Sequence, residues 1–190
     1  MRILLVIAHD KKDSLTWQLA EHTAQKCRIE SPQAQVTILD LYAHANNIPF
    51  FQHEKKLLES SEFFIMNRDL ILNTDRIALF FPVYWYSTPG IMKCWIDLIT
   101  NYAWRYQGGR VAQPLHPIKK ALIVSSTMSP RWYTLFLCNP AQNQVKQTLR
   151  WMGIKEMLTL EIGSTGTMNS TRMANTKCML NRLCKRLIAQ

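Results

Sequence analysis

The chain has 190 residues, 47% apolar and 10% aromatic, with 19% charged, 6 glycines and 8 prolines. That composition excludes a disordered, collagen-like or low-complexity chain, and at this size about 70% of the unfolded chain's surface can be buried without a disulfide or metal staple. The formal charge is +10; residues 1–95 hold 10 basic and 10 acidic side chains and residues 96–190 hold 13 and 3, so the whole excess lies in the second half.

Short apolar runs alternate with amphipathic stretches. Arg2–Ala8 is a continuous run of β-branched residues and Leu, short enough for a buried strand. Ser14 then stands as an N-cap, and Leu15, Leu19, Thr23, Ala24 and Cys27 recur at helical spacing. Gln35–Leu41 reads as a second strand, followed by a loop with Asn46, Asn47 and Pro49. A helix is predicted from about residue 54 to 72, broken near Ser60 and Ser61. Asp75–Pro82 is the third strand; Thr88 is the predicted cap of the next helix, with Pro89 at its first position and Ile91, Met92, Trp95, Ile96 and Ile99 on one side. An irregular connection is predicted over Asn101–Ile118. Lys119–Ser126 is the fourth strand, and Asn139-Pro140 opens a helix that Gly153 stops. Lys155–Ile162 is the fifth strand, and a last helix from about Ser170 carries Met173, Leu180, Leu183, Leu187 and Ile188 on one face. Strands alternating with helices argue for one α/β domain over residues 1–190, a parallel sheet covered on both faces.

The same reading bounds the setting. The longest apolar run, Ile77–Tyr86, contains Pro82 and has half the ~20 residues of a membrane span. The first run ends in His9-Asp10-Lys11-Lys12 with no cleavage site for a leader, and the 5 cysteines form no CxxC, so reduced thiols and a cytoplasmic location are expected. The scattered histidines give no metal spacing and no GxSxG elbow exists, so neither a metal site nor a serine hydrolase is expected. The basic half is either a solvated surface or a face for an anionic cofactor, an acidic partner or nucleic acid.

In an open α/β sheet, ligands bind beyond the carboxyl ends of the strands, which singles out residues 9–14, 82–88 and 127–139. The first loop has no phosphate-binding glycine motif, yet it gathers His9, a Ser hydroxyl and Thr16 at a helix amino terminus, where backbone N–H groups favour a phosphate. The alternative is an N-cap without a ligand. The second loop, Pro82-Val83-Tyr84-Trp85-Tyr86-Ser87-Thr88-Pro89-Gly90, places three aromatics where turn residues belong. They are either a packing cluster or a slot for a planar ring.

The segments HDKKDSLT, FFPVYWYSTPGIMKCWIDLI, NYAWRY and KKALIVSST together resemble the quinone-reductase family of flavodoxin-like NAD(P)H oxidoreductases, which includes the ancillary subunits of potassium-efflux systems. The likeness covers nearly the whole chain, and its most specific element is Pro82-x-x-Trp85 followed by Pro89, Lys93, Trp95 and Asp97. It implies a flavodoxin-like fold, a five-stranded parallel sheet in the order 2-1-3-4-5, and a homodimer with a flavin in each of two interfacial sites. It also implies that His9, Asp13, Ser14, Leu15 and Thr16 hold the flavin phosphate, that Pro82, Val83, Tyr84, Trp85 and Tyr86 line its ring, and that Ser125, Ser126, Thr127 and Met128 meet the pyrimidine edge. Tyr133 is the implied catalytic residue, and Trp104 and Tyr106 of the other subunit form the ceiling of the substrate site. FMN is the expected cofactor and FAD the alternative; FMN is favoured because the chain ends at the fifth helix, whereas the longer FAD-using relatives carry extra carboxyl-terminal sequence. NAD(P)H is the expected co-substrate and a quinone-like or other electrophilic aromatic the acceptor, in ping-pong order. An acidic protein or a membrane protein on the basic half is a further expected partner; nucleic acid is not. The chain departs from the family at Asp10, at Thr127-Met128, where glycines are usual, and at Asn139, where some members have His. Those departures leave open a regulatory or interaction protein on the same scaffold.

Overall fold

In the computed structural model, which describes residues 1–51, 61–107 and 111–189, five parallel strands form the centre of the molecule. They are β1 (Arg2–Ile7), β2 (Gln35–Asp40), β3 (Arg76–Pro82), β6 (Lys120–Ser126) and β7 (Glu156–Ile162), in the order β2-β1-β3-β6-β7. Every residue of β3 and β6 is buried, as expected of central strands covered on both faces. Strand boundaries agree with the sequence-based ones to within one residue. The 2-1-3-4-5 order is therefore the observed one when the parallel strands alone are counted.

Alternation along the strands divides the core in two. Ile3, Leu5, Ile7, Ala78, Phe80, Leu122 and Val124 face α1 (Leu15–Glu30) and α6 (Ser170–Ile188), meeting Trp17, Leu19, Leu180 and Leu187. Leu4, Val6, Ile77, Leu79, Phe81 and Ile123 face α2 (Glu62–Leu72), α3 (Gly90–Ile99) and α5 (Pro140–Trp151), meeting Phe63, Ile71, Trp95, Val145 and Leu149. The apolar face expected of the last helix is the one that packs, with Met173, Leu183 and Ile188 at its margins.

The predicted helix over residues 54–72 is described only from its second half, where Ser61 accepts from the Phe64 N–H and caps α2; the first half lies outside the described residues. Three expectations are corrected. Residues 101–118 are not irregular throughout: β4 (Trp104–Gln107) and β5 (Val111–Pro114) pair antiparallel. Two short strands flanking Gly108-Gly109 satisfy their backbone groups on each other rather than on the main sheet, and the side chains of 106, 107, 111 and 112 lie outside the description. Thr88 does not cap α3. Pro89, extended at φ −52° and ψ 143°, is the cap residue, and the Thr88 hydroxyl is buried without a hydrogen-bond partner among the described residues. Finally, residues 127–139 contain a short helix, α4 (Arg131–Phe136), between β6 and α5. Among the described residues no helix is long and apolar enough to cross a membrane.

Candidate active site

The loops leaving β1, β3 and β6 converge where the strand order reverses, between β1 and β3. They enclose an open cavity of about 720 Å³, lined also by residues of α1, α4 and the turn at Thr165. Sites for small molecules run ~300–1,000 Å³.

The floor comes from strand ends and the first turn of α1. Ser14 accepts from the Trp17 N–H at 3.3 Å and so fixes where α1 begins. That start brings Thr16 to the cavity, its hydroxyl 3.3 Å from the buried Ser126 hydroxyl. Beside them, the Trp17 indole N–H donates to the His9 carbonyl at 3.0 Å, and the Lys11 N–H donates to His9 Nδ1 at 3.1 Å. The same Nδ1 lies 3.1 Å from the Asp10 carboxylate. Further along, the Val83 N–H donates to the Ser126 carbonyl (2.7 Å), the Thr127 N–H to Ile162 (2.9 Å) and the Thr165 N–H to Thr127 (3.1 Å), tying the segments that leave β3, β6 and β7 to one another.

The wall is a strained turn. Tyr84 and Ser87 exchange N–H···O bonds, both 3.0 Å, around Trp85 at φ 49° and Tyr86 at φ 66°. Two successive positive φ values mark a primed-type tight turn, which ordinarily takes Asn-Gly. Aromatic residues there cost on the order of 1–3 kcal/mol each, and such strain gathers at functional positions. Burial does not offset it, because Trp85 is 93% exposed. The packing-cluster reading of this loop therefore fails, and the aromatics stand as an open wall.

Across the mouth stands α4. Its Tyr133 hydroxyl lies 3.2 Å from the Tyr86 hydroxyl, and this bond holds the Tyr133 proton above the ordinary phenol range. Burial, reinforced by the Asp10 carboxylate, does the same to Tyr84. The Thr134 hydroxyl lines the cavity and hydrogen-bonds the buried Glu161 carboxylate of β7.

Most of the sequence-predicted residues meet here: His9, Leu15, Thr16, Pro82, Val83, Tyr84, Trp85, Tyr86, Ser126, Thr127 and Met128 all line the cavity. Others stand apart from its walls. Asp13 is exposed, and Lys12 pairs with Asp40 instead. Ser14 acts through the helix start, and Ser125 is fully buried, accepting from the Gln142 amide at 2.9 Å. Tyr133 reaches the site through Tyr86. Trp104 is half-buried on this chain's own core, 6.1 Å from the Trp151 ring, and the Tyr106 side chain lies outside the described residues. Sequence reasoning missed Ser129, Thr134 and Thr165 as lining residues. Thr165 follows β7 by a few residues, and only the tie to Thr127 brings it in.

The residues present fit a planar anionic ligand. The cavity has an apolar aromatic wall, a hydroxyl floor at a helix amino terminus, and neither Asp nor Glu among its lining side chains.

The family model described as flavodoxin-like fold matches residues 1–187, and the chain belongs to that family. It is 35% identical over 114 residues to the uncharacterized NAD(P)H oxidoreductase YcaK of Escherichia coli K12; that match covers 57% of each chain, so it spans little more than half of the relative's length. Among solved structures, the NAD(P)H:quinone oxidoreductase from Methanothermobacter marburgensis superposes with TM-score 0.80 at 18% identity, over 100% of this chain and 97% of that one. The FMN-dependent NADH-azoreductase of Bacillus anthracis, solved in complex with FMN, does so with TM-score 0.78 at 16% identity over the full length of both. At those identities the likeness is one of fold.

Proposed function

We propose that this chain is an FMN-dependent NAD(P)H oxidoreductase working in ping-pong order, passing a hydride from reduced nicotinamide to a quinone-like or other electrophilic aromatic acceptor at a homodimer interface. The observation that carries the reading is the strained, solvent-facing Trp85-Tyr86 turn above a hydroxyl-lined floor at the sheet's switch point. The names of the relatives and the flavin in the Bacillus anthracis neighbour support the same class.

Bound FMN supplies the hydride-accepting and hydride-donating ring; the protein supplies placement and charge. The first turn of α1 with Ser14, Leu15 and Thr16 receives the phosphate, where outward N–H groups and the positive end of the helix dipole favour an anion. His9 borders that end, its Nδ1 turned to the Lys11 N–H and the Asp10 carboxylate. Pro82, Val83, Tyr84, Trp85 and Tyr86 hold the ring's flank and keep water from it, and Ser126, Thr127 and Met128 border its polar edge. Asp13, exposed at the helix entrance, orders the start of α1 through its carbonyl, which accepts from the Gln18 amide at 3.0 Å. Ser125 braces the strand end beneath. Trp104 and Tyr106 of a second copy close the site from above, so nicotinamide and acceptor take turns in one slot.

The test is reconstitution. Purified protein is titrated with FMN, then with NADPH under argon, then with a benzoquinone. The expected result is uptake of flavin with tryptophan quenching, bleaching by NADPH and recovery on adding the quinone, with parallel double-reciprocal plots. Protein that takes up no flavin overturns the reading in favour of an interaction protein on this scaffold.

A further inference from the structure

Tyr86 and Tyr133 lie 47 positions apart and reach the same point from opposite sides of the cavity mouth. Their rings are 6.4 Å apart and tilted by 52°, so they do not stack; the contact is hydroxyl to hydroxyl at 3.2 Å. Both rings are held. Tyr86 sits at the second left-handed position of a turn closed by two backbone bonds, and Tyr133 lies in the first turn of α4 with the Trp132 ring edge-on at 5.9 Å. Tyr86 lines the cavity, whereas Tyr133 is not among its lining residues.

A phenol carries one proton and can accept another bond on the same oxygen. When the Tyr133 hydroxyl donates to Tyr86, the Tyr86 proton is left to point into the cavity. We propose that Tyr86 is the proton donor to the acceptor substrate and that Tyr133 is a positioning residue, which aims the Tyr86 hydroxyl and refills it. The inference rests on the oxidoreductase reading. Once a quinone has received the hydride it carries a negative oxygen. The Tyr86 O–H bond breaks and its proton passes to that oxygen, giving the hydroquinone. The Tyr133 proton then moves to the Tyr86 oxygen, and water returns a proton to Tyr133. Electrons come from NAD(P)H through the proposed activity and the proton from water.

The geometry favours this assignment over the reverse. Tyr86 lines the cavity, where a substrate oxygen would lie, whereas Tyr133 is not among the lining residues, and either hydroxyl can donate in the bond between them. Tyr84 shares the cavity wall, but burial and Asp10 make it a poor donor. His9 lines the same cavity as Tyr86, Glu161 hydrogen-bonds Thr134 next to Tyr133, Arg131 lies in the same helix turn as Tyr133, and Asp10 acts on the neighbouring Tyr84.

Two measurements decide it. In flavin-free protein labelled with 13Cζ-tyrosine, the Tyr133 signal is followed against pH in the wild type and in Tyr86→Phe. Coupled phenols predict that its midpoint falls in the variant; an unmoved midpoint overturns the pairing. In FMN-loaded enzyme, turnover is compared between a benzoquinone, which needs a proton, and ferricyanide, which takes electrons alone. General-acid catalysis contributes ~10²–10⁴-fold, so Tyr86→Phe is expected to lower the quinone-to-ferricyanide ratio about 100-fold and Tyr133→Phe to lower it less, with a shifted pH profile. Equal loss with both acceptors, or a larger drop in the ratio for Tyr133→Phe than for Tyr86→Phe, overturns the assignment. Failure of the oxidoreductase reading registers separately, as wild-type protein that binds no FMN.

Discussion

Trp85 and Trp95 are ten residues apart and have opposite physical roles. Trp95 is fully buried and its indole N–H donates to Asn67 Oδ1 at 2.7 Å, so Trp95→Ala is expected to cost ~3–5 kcal/mol of stability, visible in urea titration. Trp85 buries almost nothing and holds a left-handed backbone. Trp85→Ala should leave the urea midpoint nearly unchanged, and Trp85→Gly should leave it unchanged or raise it, because glycine relieves the positive φ. Both should weaken FMN binding by about tenfold or more, ~1.4 kcal/mol, read by fluorescence titration. A variant that keeps full affinity but melts early would make the turn a structural element only. His116 gives a residue-scale pH dependence. Its Nδ1 accepts from the Ile118 N–H at 3.1 Å and its Nε2 meets the Met152 carbonyl at 3.2 Å, and burial pushes it below the ordinary value of 6.5. The unfolded chain therefore binds that proton more readily than the folded one. Stability from this site is intact above about pH 6.5 and falls as the pH drops below it toward the folded value. His116→Gln should flatten the dependence of Tm on pH in that window while lowering Tm at pH 8.

At the scale of elements, the carboxyl end of α6 is held by two buried cations. Arg76 Nε donates to the Leu187 carbonyl at 2.8 Å and Nη2 to Ala189 at 3.4 Å, while the Lys120 ammonium reaches the Arg186 carbonyl at 3.4 Å. Orphan carbonyls at the negative end of a helix dipole thus meet positive charge at the amino-terminal edge of the sheet. Arg76→Ala is expected to cost roughly 2–3 kcal/mol, since bonds from a charged donor are worth ~1.5–3 kcal/mol. The exposed cations of the same helix behave differently. Arg182, Lys185 and Arg186 lie near that edge, and the cavity lies at the other end of seven-residue strands, about 20 Å away. Charges are screened beyond ~8 Å at 0.15 M salt, so reversing these three should leave NAD(P)H oxidation within about twofold of wild type in the same buffer. A tenfold loss without unfolding would place the stripe in the cycle. The elements most legible in the sequence were those whose signal is local. Ile3–Ile7, Ile77–Pro82 and Ala121–Val124 are unbroken apolar runs, and α6 repeats Leu180, Leu183 and Leu187 on one face. The β4–β5 pair was hidden because its strands are only four residues long, the second ends in Pro114, and both lie outside the main sheet. The Thr88 cap was misplaced because Pro89 starts the helix one residue later than the cap pattern predicts. The site's residues were legible by type and place, but the Trp85-Tyr86 turn was not, since nothing local marks aromatics for positions that glycine normally fills. The meeting of Tyr86 with Tyr133 depends on α4, a helix hidden within a predicted loop.

For the molecule as a whole, the open question that physics poses is what covers the mouth of the cavity. Around it stand Trp85, Met128, Trp132, Leu135 and Phe136, all exposed, with Phe136 at 80%. A cluster of this kind marks an interface rather than ordinary surface. Its position bears on the proposed dimer: α4 carries Trp132, Leu135 and Phe136 on the helix that also carries Tyr133 and Thr134, so whatever covers α4 also fixes the cavity's far wall. Two-fold dimers are the commonest assemblies, so self-association by itself says little; the informative quantity is whether the isolated protomer works. Leu135→Glu with Phe136→Glu places two carboxylates on exposed positions, where the folded protomer tolerates them and an apolar interface does not. The expected outcome is a folded monomer by sedimentation, with a far-UV spectrum like the wild type. On the proposed dimer it should bind FMN more weakly and turn over NAD(P)H at least about tenfold more slowly even at saturating FMN, because the slot would then be open on one side. Trp104 supplies the control. It packs edge-on against Trp151 within its own chain, so Trp104→Ala should leave the dimer intact. If the ring also roofs the partner's slot, the variant raises the KM for the acceptor with little change in flavin affinity. A fully active monomer from the double carboxylate variant would show that each protomer completes its own site, and the apolar rim would then have to serve a different partner.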